Sequence, residues 1–398
     1  MRLSGRVQRI QPSVTLGVAA RARELQGKGR DIISFGVGEP DFDTPAHIQN
    51  AAAAAIVRGA GKYTDIAGLS ELRAAAAAEL SAVHDIPLAA ENILVSTGAK
   101  HSIYNLLMAL LDDGDEVIVP TPCWPSHTEL VRMAGGVPVL AGQRSEDGFR
   151  LDPELLARLI TPRTRAILLN SPSNPTGAIY DADNLAALAE VIRTRGGPEL
   201  LIITDDLYRR LVYAPAQWAS LCRVAPDLRD RTLLIDGVSK TYAMTGWRIG
   251  FCAGPRPLIA AMQALQGQVT TNATTVSQHA ALAALTGDQV PVEAMRTEFD
   301  RRRKVMYQGL CRIPGLRCAE PQGAFYCFPD LRAYLRPTGP RDDIELCDWL
   351  LHHAGIAAIP GTGFFAPGFL RFSYATSLAN IEEGLRRLTA GLAELGPN

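Results

Sequence analysis

Long apolar runs are missing from this 398-residue chain, and none approaches the ~18 residues of a membrane-spanning helix. An excess of one charge is missing too. Lys plus Arg number 40 and Asp plus Glu 41, a formal net charge of −1. That balance excludes the electrostatic footprint of a nucleic-acid or anionic-membrane binder, so a small molecule is the expected partner. Cysteines are few: seven, an odd number, scattered, with no C-x-x-C pair. No disulfide framework and no metal cluster are expected, and reduced thiols point to a cytoplasmic protein. The start, Met1-Arg2-Leu3-Ser4-Gly5-Arg6, is basic without an apolar stretch behind it, so no secretion signal is expected. What is there is ordinary globular composition, 47% hydrophobic and 20% charged. The length exceeds what one core supports, so two domains are expected.

Short continuous apolar runs punctuate the middle of the chain. They are Ile93-Leu94-Val95, Val117-Ile118-Val119, Ala166-Ile167-Leu168-Leu169, Leu200-Leu201-Ile202-Ile203, Thr232-Leu233-Leu234-Ile235 and Ile249-Gly250-Phe251-Cys252-Ala253. Continuous rather than alternating hydrophobicity marks strands buried on both faces. Stretches apolar at helical spacing, such as residues 101–111 and 184–195, lie between them. Strand–helix alternation predicts an α/β domain with a mostly parallel sheet, placed at residues 46–286. Residues 1–45 and 287–398 are assigned to one smaller α/β domain built from both termini. They carry helices expected over 14–26, 293–311 and 381–395, and a Pro/Gly-punctuated stretch over 314–340.

In open α/β sheets, ligands bind outside the carboxyl ends of the strands. Five strand ends here carry polar or aromatic groups. Ser96-Thr97-Gly98-Ala99-Lys100 opens a helix; Trp124 follows Val119; Asn170-Ser171-Pro172-Ser173-Asn174-Pro175-Thr176-Gly177 follows Leu169. Asp205-Asp206-Leu207-Tyr208 and Ser239-Lys240 end the other two. Each alone has a plain explanation: a solvated lysine, a helix cap at Asp205-Asp206, a turn at Asn174-Pro175-Thr176-Gly177. Their conjunction on successive strand ends suits a phosphorylated aromatic aldehyde. The Lys240 amine can condense with the aldehyde. Asp205 can hold a pyridine nitrogen protonated, which makes the ring an electron sink. Trp124 can stack on the ring, Asn174 and Tyr208 can bond a ring oxygen, and the helix start at Gly98-Ala99 can receive a phosphate. Arg248, eight residues after Lys240, adds a guanidinium.

The stretch Ser239-Lys240-Thr241-Tyr242-Ala243-Met244-Thr245-Gly246-Trp247-Arg248-Ile249-Gly250 resembles the lysine signature of class I pyridoxal-phosphate aminotransferases. Asn170–Gly177 resembles their N-x-P-x-N-P-T-G motif. Gly38-Glu39-Pro40-Asp41-Phe42-Asp43-Thr44-Pro45 and Arg371-Phe372-Ser373-Tyr374-Ala375 resemble their terminal substrate segments. The likeness runs from Val7 to Leu395 and is nearest the bacterial aspartate/prephenate branch. It implies fold-type I architecture, pyridoxal 5'-phosphate as cofactor, and a ping-pong transfer of an amino group from an L-amino acid to a 2-oxo acid, with glutamate/2-oxoglutarate or aspartate/oxaloacetate as one pair. It implies Lys240 as the Schiff-base lysine and proton carrier, and Asp205 on the pyridinium nitrogen. Tyr208 and Asn174 would hold the ring oxygen, with Trp124 stacked on the ring. Gly98, Ala99, Lys100 and Arg248 would bind phosphate, with Ser239 beside them and Tyr63 reaching in from the second subunit of a homodimer. Arg371 would grip the substrate carboxylate, with Gly38, Trp124 and Asn174 also lining the substrate.

Departures from the family pattern bear on specificity. Cys123 and His127 replace common aromatic residues, and Asp206 a common Glu. Gln11 stands where the branch often has Lys, and Asn272 lies where dicarboxylate-specific relatives place Arg. Lys100 is then the cation left for a distal carboxylate. The same cofactor set also serves β-elimination or cyclisation, and, least in keeping with an intact Lys240–Asp205–Arg371 set, a non-catalytic regulator.

Overall fold

A computed structural model describes residues 1–8, 10 and 14–397. The helix Val14–Gly27 leads into a two-residue strand, β1 (Ile33–Ser34). A seven-stranded sheet follows, made of β2 (Ile93–Ser96), β3 (Glu116–Thr121), β4 (Val137–Gly142), β5 (Thr164–Asn170), β6 (Leu201–Asp205), β7 (Thr232–Gly237) and β8 (Gly250–Ala253). Beyond the 22-residue helix Val290–Cys311 come four short strands, β9 (Tyr326–Cys327), β10 (Ile356–Ala357), β11 (Ile359–Pro360) and β12 (Leu370–Ser373), and the closing helix Leu378–Leu395.

The large sheet has the order β2-β8-β7-β6-β5-β3-β4. Only β8 runs against its neighbours, so the other six strands point their carboxyl ends to one rim. All six apolar runs singled out in the sequence are strands, and their residues are almost wholly shielded from solvent. Burial on both faces by helices is what a continuous apolar run requires.

One strand escapes that pattern. β4 lies at the sheet's edge with Val137 47% and Leu140 40% exposed. It includes Pro138, which an edge strand tolerates because one side of its backbone needs no ladder partner. Half-exposed and interrupted by Pro138, its Val137-Pro138-Val139-Leu140-Ala141 does not read as an interior strand.

The two ends of the chain pack into a common core. Ile33 pairs with Ile356 in a parallel ladder, and the Ser373 amide donates to the Phe35 carbonyl at 2.8 Å. Phe35 meets Phe372 at 5.8 Å between ring centroids. Buried aromatics of this size are worth about 3–5 kcal/mol each against alanine, so these contacts hold the N-terminal strand firmly in place. The helix Val290–Cys311 belongs to both cores: Val292 and Met295 pack with the helices of the large sheet, Phe299 and Met306 with the terminal strands. The consequence lies just downstream of Phe35. Residues 36–39 are carried across the carboxyl rim of the large sheet.

Candidate active site

The rim has a basic end. Gly98 caps the helix Ala99–Leu110 with φ +83° and no capping side chain, leaving the helix's N-terminal dipole open to an anion. A Cβ on Gly98 would stand 2.3 Å from an Arg248 guanidinium nitrogen. A Cβ on Gly250 would stand 2.2 Å from the Ala99 amide nitrogen. Glycine at both places lets β8 and the guanidinium close against the turn. Arg248 itself is exposed, held in the left-handed region at φ +59°, its Nη1 donating to the Thr245 carbonyl at 2.8 Å. Lys100 is exposed as well, its Nζ 4.8 Å from the centroid of the Trp124 ring. Partial desolvation, then the nearby Arg248 charge, push the Lys100 ammonium below its ordinary range.

A flat slot adjoins this end. Trp124 precedes the helix Pro125–Met133 and meets His127 edge-on, 5.3 Å between centroids at 87°. His127 Nε2 lies 3.0 Å from Asp205 Oδ2. Both are nearly sealed from solvent, at 1% and 4% exposure. Asp205 does not cap a helix: residues 207–210 form a turn, and the Leu207 amide reaches Asp205 Oδ1 only at 3.5 Å. Its neighbour Asp206 serves the far side of the strand, accepting from Thr204 Oγ1 at 2.7 Å beside His84. Burial, aided by Asp236 and Asp205, drives the Asp206 carboxyl well above the usual carboxylate range.

The slot's other end is buried. Lys240 Nζ donates to the Gly38 carbonyl at 2.6 Å. Burial lowers the Lys240 ammonium to about 8; Glu39 opposes this, and Arg371 and Arg248 add to it. Arg371, 1% exposed, donates from Nη1 to Asn174 Oδ1 and from Nη2 to the Gly36 carbonyl, each at 2.8 Å. Its guanidinium carbon lies 4.5 Å from the Tyr326 ring centroid and 5.0 Å from that of Phe364. Arg371 Nε is buried with no partner among the described residues. Tyr208 and Tyr326 share a hydroxyl–hydroxyl hydrogen bond of 2.9 Å, and burial raises both phenols.

Of the residues named from the sequence, Gly38, Gly98, Ala99, Lys100, Trp124, Asn174, Asp205, Tyr208, Lys240, Arg248 and Arg371 therefore come together at one rim through contacts and charge interactions, and Ser239 next to Lys240 is buried. Tyr63 stands apart, 85% exposed. The loop behind it is tied down where Thr275 Oγ1 donates to the Lys62 carbonyl at 2.7 Å. Asn272 turns its amide back to the Ala273 carbonyl, and Gln11 lies outside the described residues. Two site residues went unread. His127 counted only as a departure from pattern, although its place three residues after Trp124 puts both on one helix face. Tyr326 sits in an aromatic run, Phe325-Tyr326-Cys327-Phe328, that reads as core.

This architecture is that of an α/β protein with a buried arginine and a lysine brought together at the carboxyl rim of its large sheet. Residues 30–388 match the family model described as aminotransferase class I and II. The chain belongs to that family of pyridoxal-phosphate-dependent aminotransferases. It is 45% identical to an aspartate aminotransferase of Geobacillus stearothermophilus over 98% of both chains. It is 42% identical to the aspartate/prephenate aminotransferase of Nitrosomonas europaea, over 99% of this chain and all of that one. Among solved structures, it superposes on the aspartate aminotransferase of Rhizobium meliloti with a TM-score of 0.94 at 41% identity, covering 99% of each chain. The Thermus thermophilus aspartate aminotransferase with maleate follows at 0.92 and 42%, covering 98% of this chain and all of that one.

Proposed function

We propose that this chain binds pyridoxal 5'-phosphate on Lys240 and transfers amino groups to and from acidic substrates, with aspartate/oxaloacetate or glutamate/2-oxoglutarate as one pair. The observation that carries the reading is a single slot with Arg248 over Gly98 at one end, Asp205 at its back, and the Lys240 amine beside Arg371 at the other. The donor set fits the cofactor: the close approach of Arg248 to Gly98 forms a cradle only a side-chain-free turn allows, and the helix start beside it supplies backbone N–H groups. When bound, pyridoxal phosphate supplies a ring that accepts the electron pair released as the substrate loses its α-proton.

The protein does the rest. Asp205, in contact with His127, would hold the ring nitrogen's proton. Tyr208 and Asn174 would hold the ring oxygen, and Trp124 would stack on the ring. Gly98, Ala99, Lys100 and Arg248 would hold the phosphate. Lys240 gains and loses a proton at Nζ, and its depressed ammonium leaves much of the amine neutral near pH 8. Arg371 receives the substrate α-carboxylate. Asn174 and Gly36 occupy one hydrogen on each terminal nitrogen, and the unpartnered Nε–H offers the donor for a fork. Residues 46–286 would form the cofactor domain, with 1–45 and 287–398 the smaller one. The exposed Tyr63 fits a homodimer in which it meets the partner's phosphate site. Acidic-substrate preference finds support in the names of the relatives and in the maleate of the Thermus structure.

Purified protein given a panel of amino acids with 2-oxoglutarate tests the reading. Keto acid formed together with glutamate, with aspartate among the best donors, is the expected result. Ammonia released without an acceptor would make it a lyase.

A further inference from the structure

Lys240 and Arg371 both bond to a stretch of chain that has no secondary structure. Residues 36–44 form neither helix nor strand, and among the described residues none of their backbone groups bonds to another backbone group. Two of their carbonyls face the cleft instead, Gly36 accepting from Arg371 and Gly38 from Lys240. A segment without a ladder of its own lies where its side chains are tied. Those ties decide where both carbonyls stand.

Two ties run to the loop that follows the lysine. Glu39 Oε2 accepts from Thr245 Oγ1 at 2.9 Å. Thr44 Oγ1 donates to the Ala243 carbonyl at 2.7 Å and accepts from Trp247 Nε1 at 3.0 Å. The third tie runs the other way, to the helix Val290–Cys311. Arg302 Nη1 donates to Asp41 Oδ1 at 2.6 Å, and its Nε to Glu298 Oε1, one turn back, at 3.0 Å. The guanidinium carbon lies 4.9 Å from the Phe42 ring centroid, and Phe42 meets Phe299 edge-on, 5.2 Å between centroids at 87°. Arg302 is 7% exposed. Glu298 holds one edge of that planar group, so the edge offered to Asp41 has a set place.

We propose that Arg302 is a positioning residue for the buried end of the cleft: through Asp41 and Phe42 it sets where residues 36–39 cross the rim, and hence where the Gly36 and Gly38 carbonyls meet Arg371 and Lys240. The inference rests on the roles proposed for Lys240 and Arg371 and deepens them. Arg302 acts through the segment, not on the reacting atoms. Asp41 lies three residues from Gly38, about 10 Å along even an extended chain, so slack at Asp41 is felt at Gly38. Among the described residues, the bond to Asp41 is the one side-chain hydrogen bond from this segment to the helix shared by both cores. Without it the segment can lift and admit water to both charges.

Arg302→Met keeps an unbranched side chain against Phe42 and Phe299 while removing the charge. Asp41→Leu cuts the same tie from the more exposed side, which guards against a fold defect in the first variant. Both are compared with the unaltered protein at a temperature where circular dichroism shows all three folded. The deciding readout is reductive aldehyde labelling of Lys240 in cofactor-free protein. The charges facing Lys240 are Glu39 on the segment, Arg371 on β12, Arg248 and Asp205, and burial outweighs them. A looser cover lets water reach the ammonium, so in both variants the midpoint should rise from about 8 toward 10.5, enough to cut labelling at pH 8 about fivefold. In the loaded enzyme kcat/KM for aspartate should fall about tenfold in each. The double variant should lose little more than either single one, because both cut one tie. A residue serving stability alone would lower the melting temperature and leave the labelling midpoint in place. That outcome, or losses that add in the double variant, would overturn the proposal. Absence of transamination by the unaltered protein would instead sink the proposed function, while the labelling result stands.

Discussion

The cleft has two cationic ends built on opposite principles. At the Gly98 end, Arg248 and Lys100 are exposed, and the backbone of an uncapped helix start would carry much of the proposed anion binding. At the other, Arg371 is 1% exposed, wedged between Tyr326 and Phe364 and hydrogen-bonded to Asn174 and Gly36. Solvent screens charge at the first end, so loss of one group there is partly made good by water and by the others. At the second the desolvation cost has already been met in folding, and a single missing group leaves its partners buried and unpaired. A phosphate with several oxygens suits the redundant end. A small α-carboxylate, which must be told from other anions in one orientation, suits the rigid one.

That contrast is tested most severely at Arg371. Arg371→Leu should lower kcat/KM for every amino acid by about 10²- to 10³-fold, as expected when one partner of a buried, hydrogen-bonded charge contact is removed. Arg371→Lys should recover little, because an ammonium cannot present the fork. Steady-state kinetics with the cofactor spectrum as a control measures both. Near-normal turnover by Arg371→Lys would mean that charge alone suffices and the two ends do not differ.

Lys240, placed beside Arg371 at the buried end, tests the same contrast. Burial disfavours its ammonium, so the neutral amine emerges at lower pH than on an ordinary lysine. Reductive labelling of cofactor-free protein with a simple aldehyde should rise with pH to a midpoint near 8 rather than 10.5. At pH 7 that gap makes the neutral fraction about 10²-fold larger than on a solvated lysine. A midpoint near 10 would place Lys240 with the open end.

Gly98→Ala attacks the redundant end, and its effect should be smaller. The added Cβ meets a guanidinium that is exposed and free to withdraw, and φ +83° with ψ 158° is a nearly glycine-only conformation costing another residue about 1–3 kcal/mol. Cofactor affinity, measured by titrating the cofactor-free protein, should fall about tenfold, with kcat at saturation little changed. A drop as deep as that of Arg371→Leu would show that the phosphate end is not redundant. An effect of similar size, but confined to acidic substrates, is expected at Lys100, which the proposal sets between phosphate and substrate. Lys100→Ala should reduce kcat/KM for aspartate or glutamate about tenfold more than for neutral amino acids, the worth of one charged hydrogen bond. An equal loss on all substrates would confine Lys100 to the phosphate.

Local chemistry made much of this legible in advance. Continuous apolar runs announced six strands of the large sheet because burial on both faces leaves no room for polar alternation. The groups at their carboxyl ends were readable for the same reason: a strand's end locates whatever follows it. β4 was not readable, because an exposed edge strand with a proline obeys weaker constraints. Tyr326 was hidden for the opposite reason, since a tyrosine inside Phe325-Tyr326-Cys327-Phe328 has the composition of core.

The sequence by itself determined the strand ends, the glycine turn before Ala99, and the residue types set along the rim, all within stretches of a dozen residues. Tertiary structure alone decided which of them meet. Arg371 reaches the Gly36 carbonyl across 335 positions and Asn174 across 197, Lys240 reaches the Gly38 carbonyl across 202, and His127 reaches Asp205 across 78. None of these pairings has a local signature. The first three exist because two ends of one chain share a core beside the rim, where burial of Phe35 against Phe372 outweighs the entropy of closing so long a loop, a cost that grows only logarithmically with its length; the fourth exists because the sheet sets β3 and β6 on either side of β5.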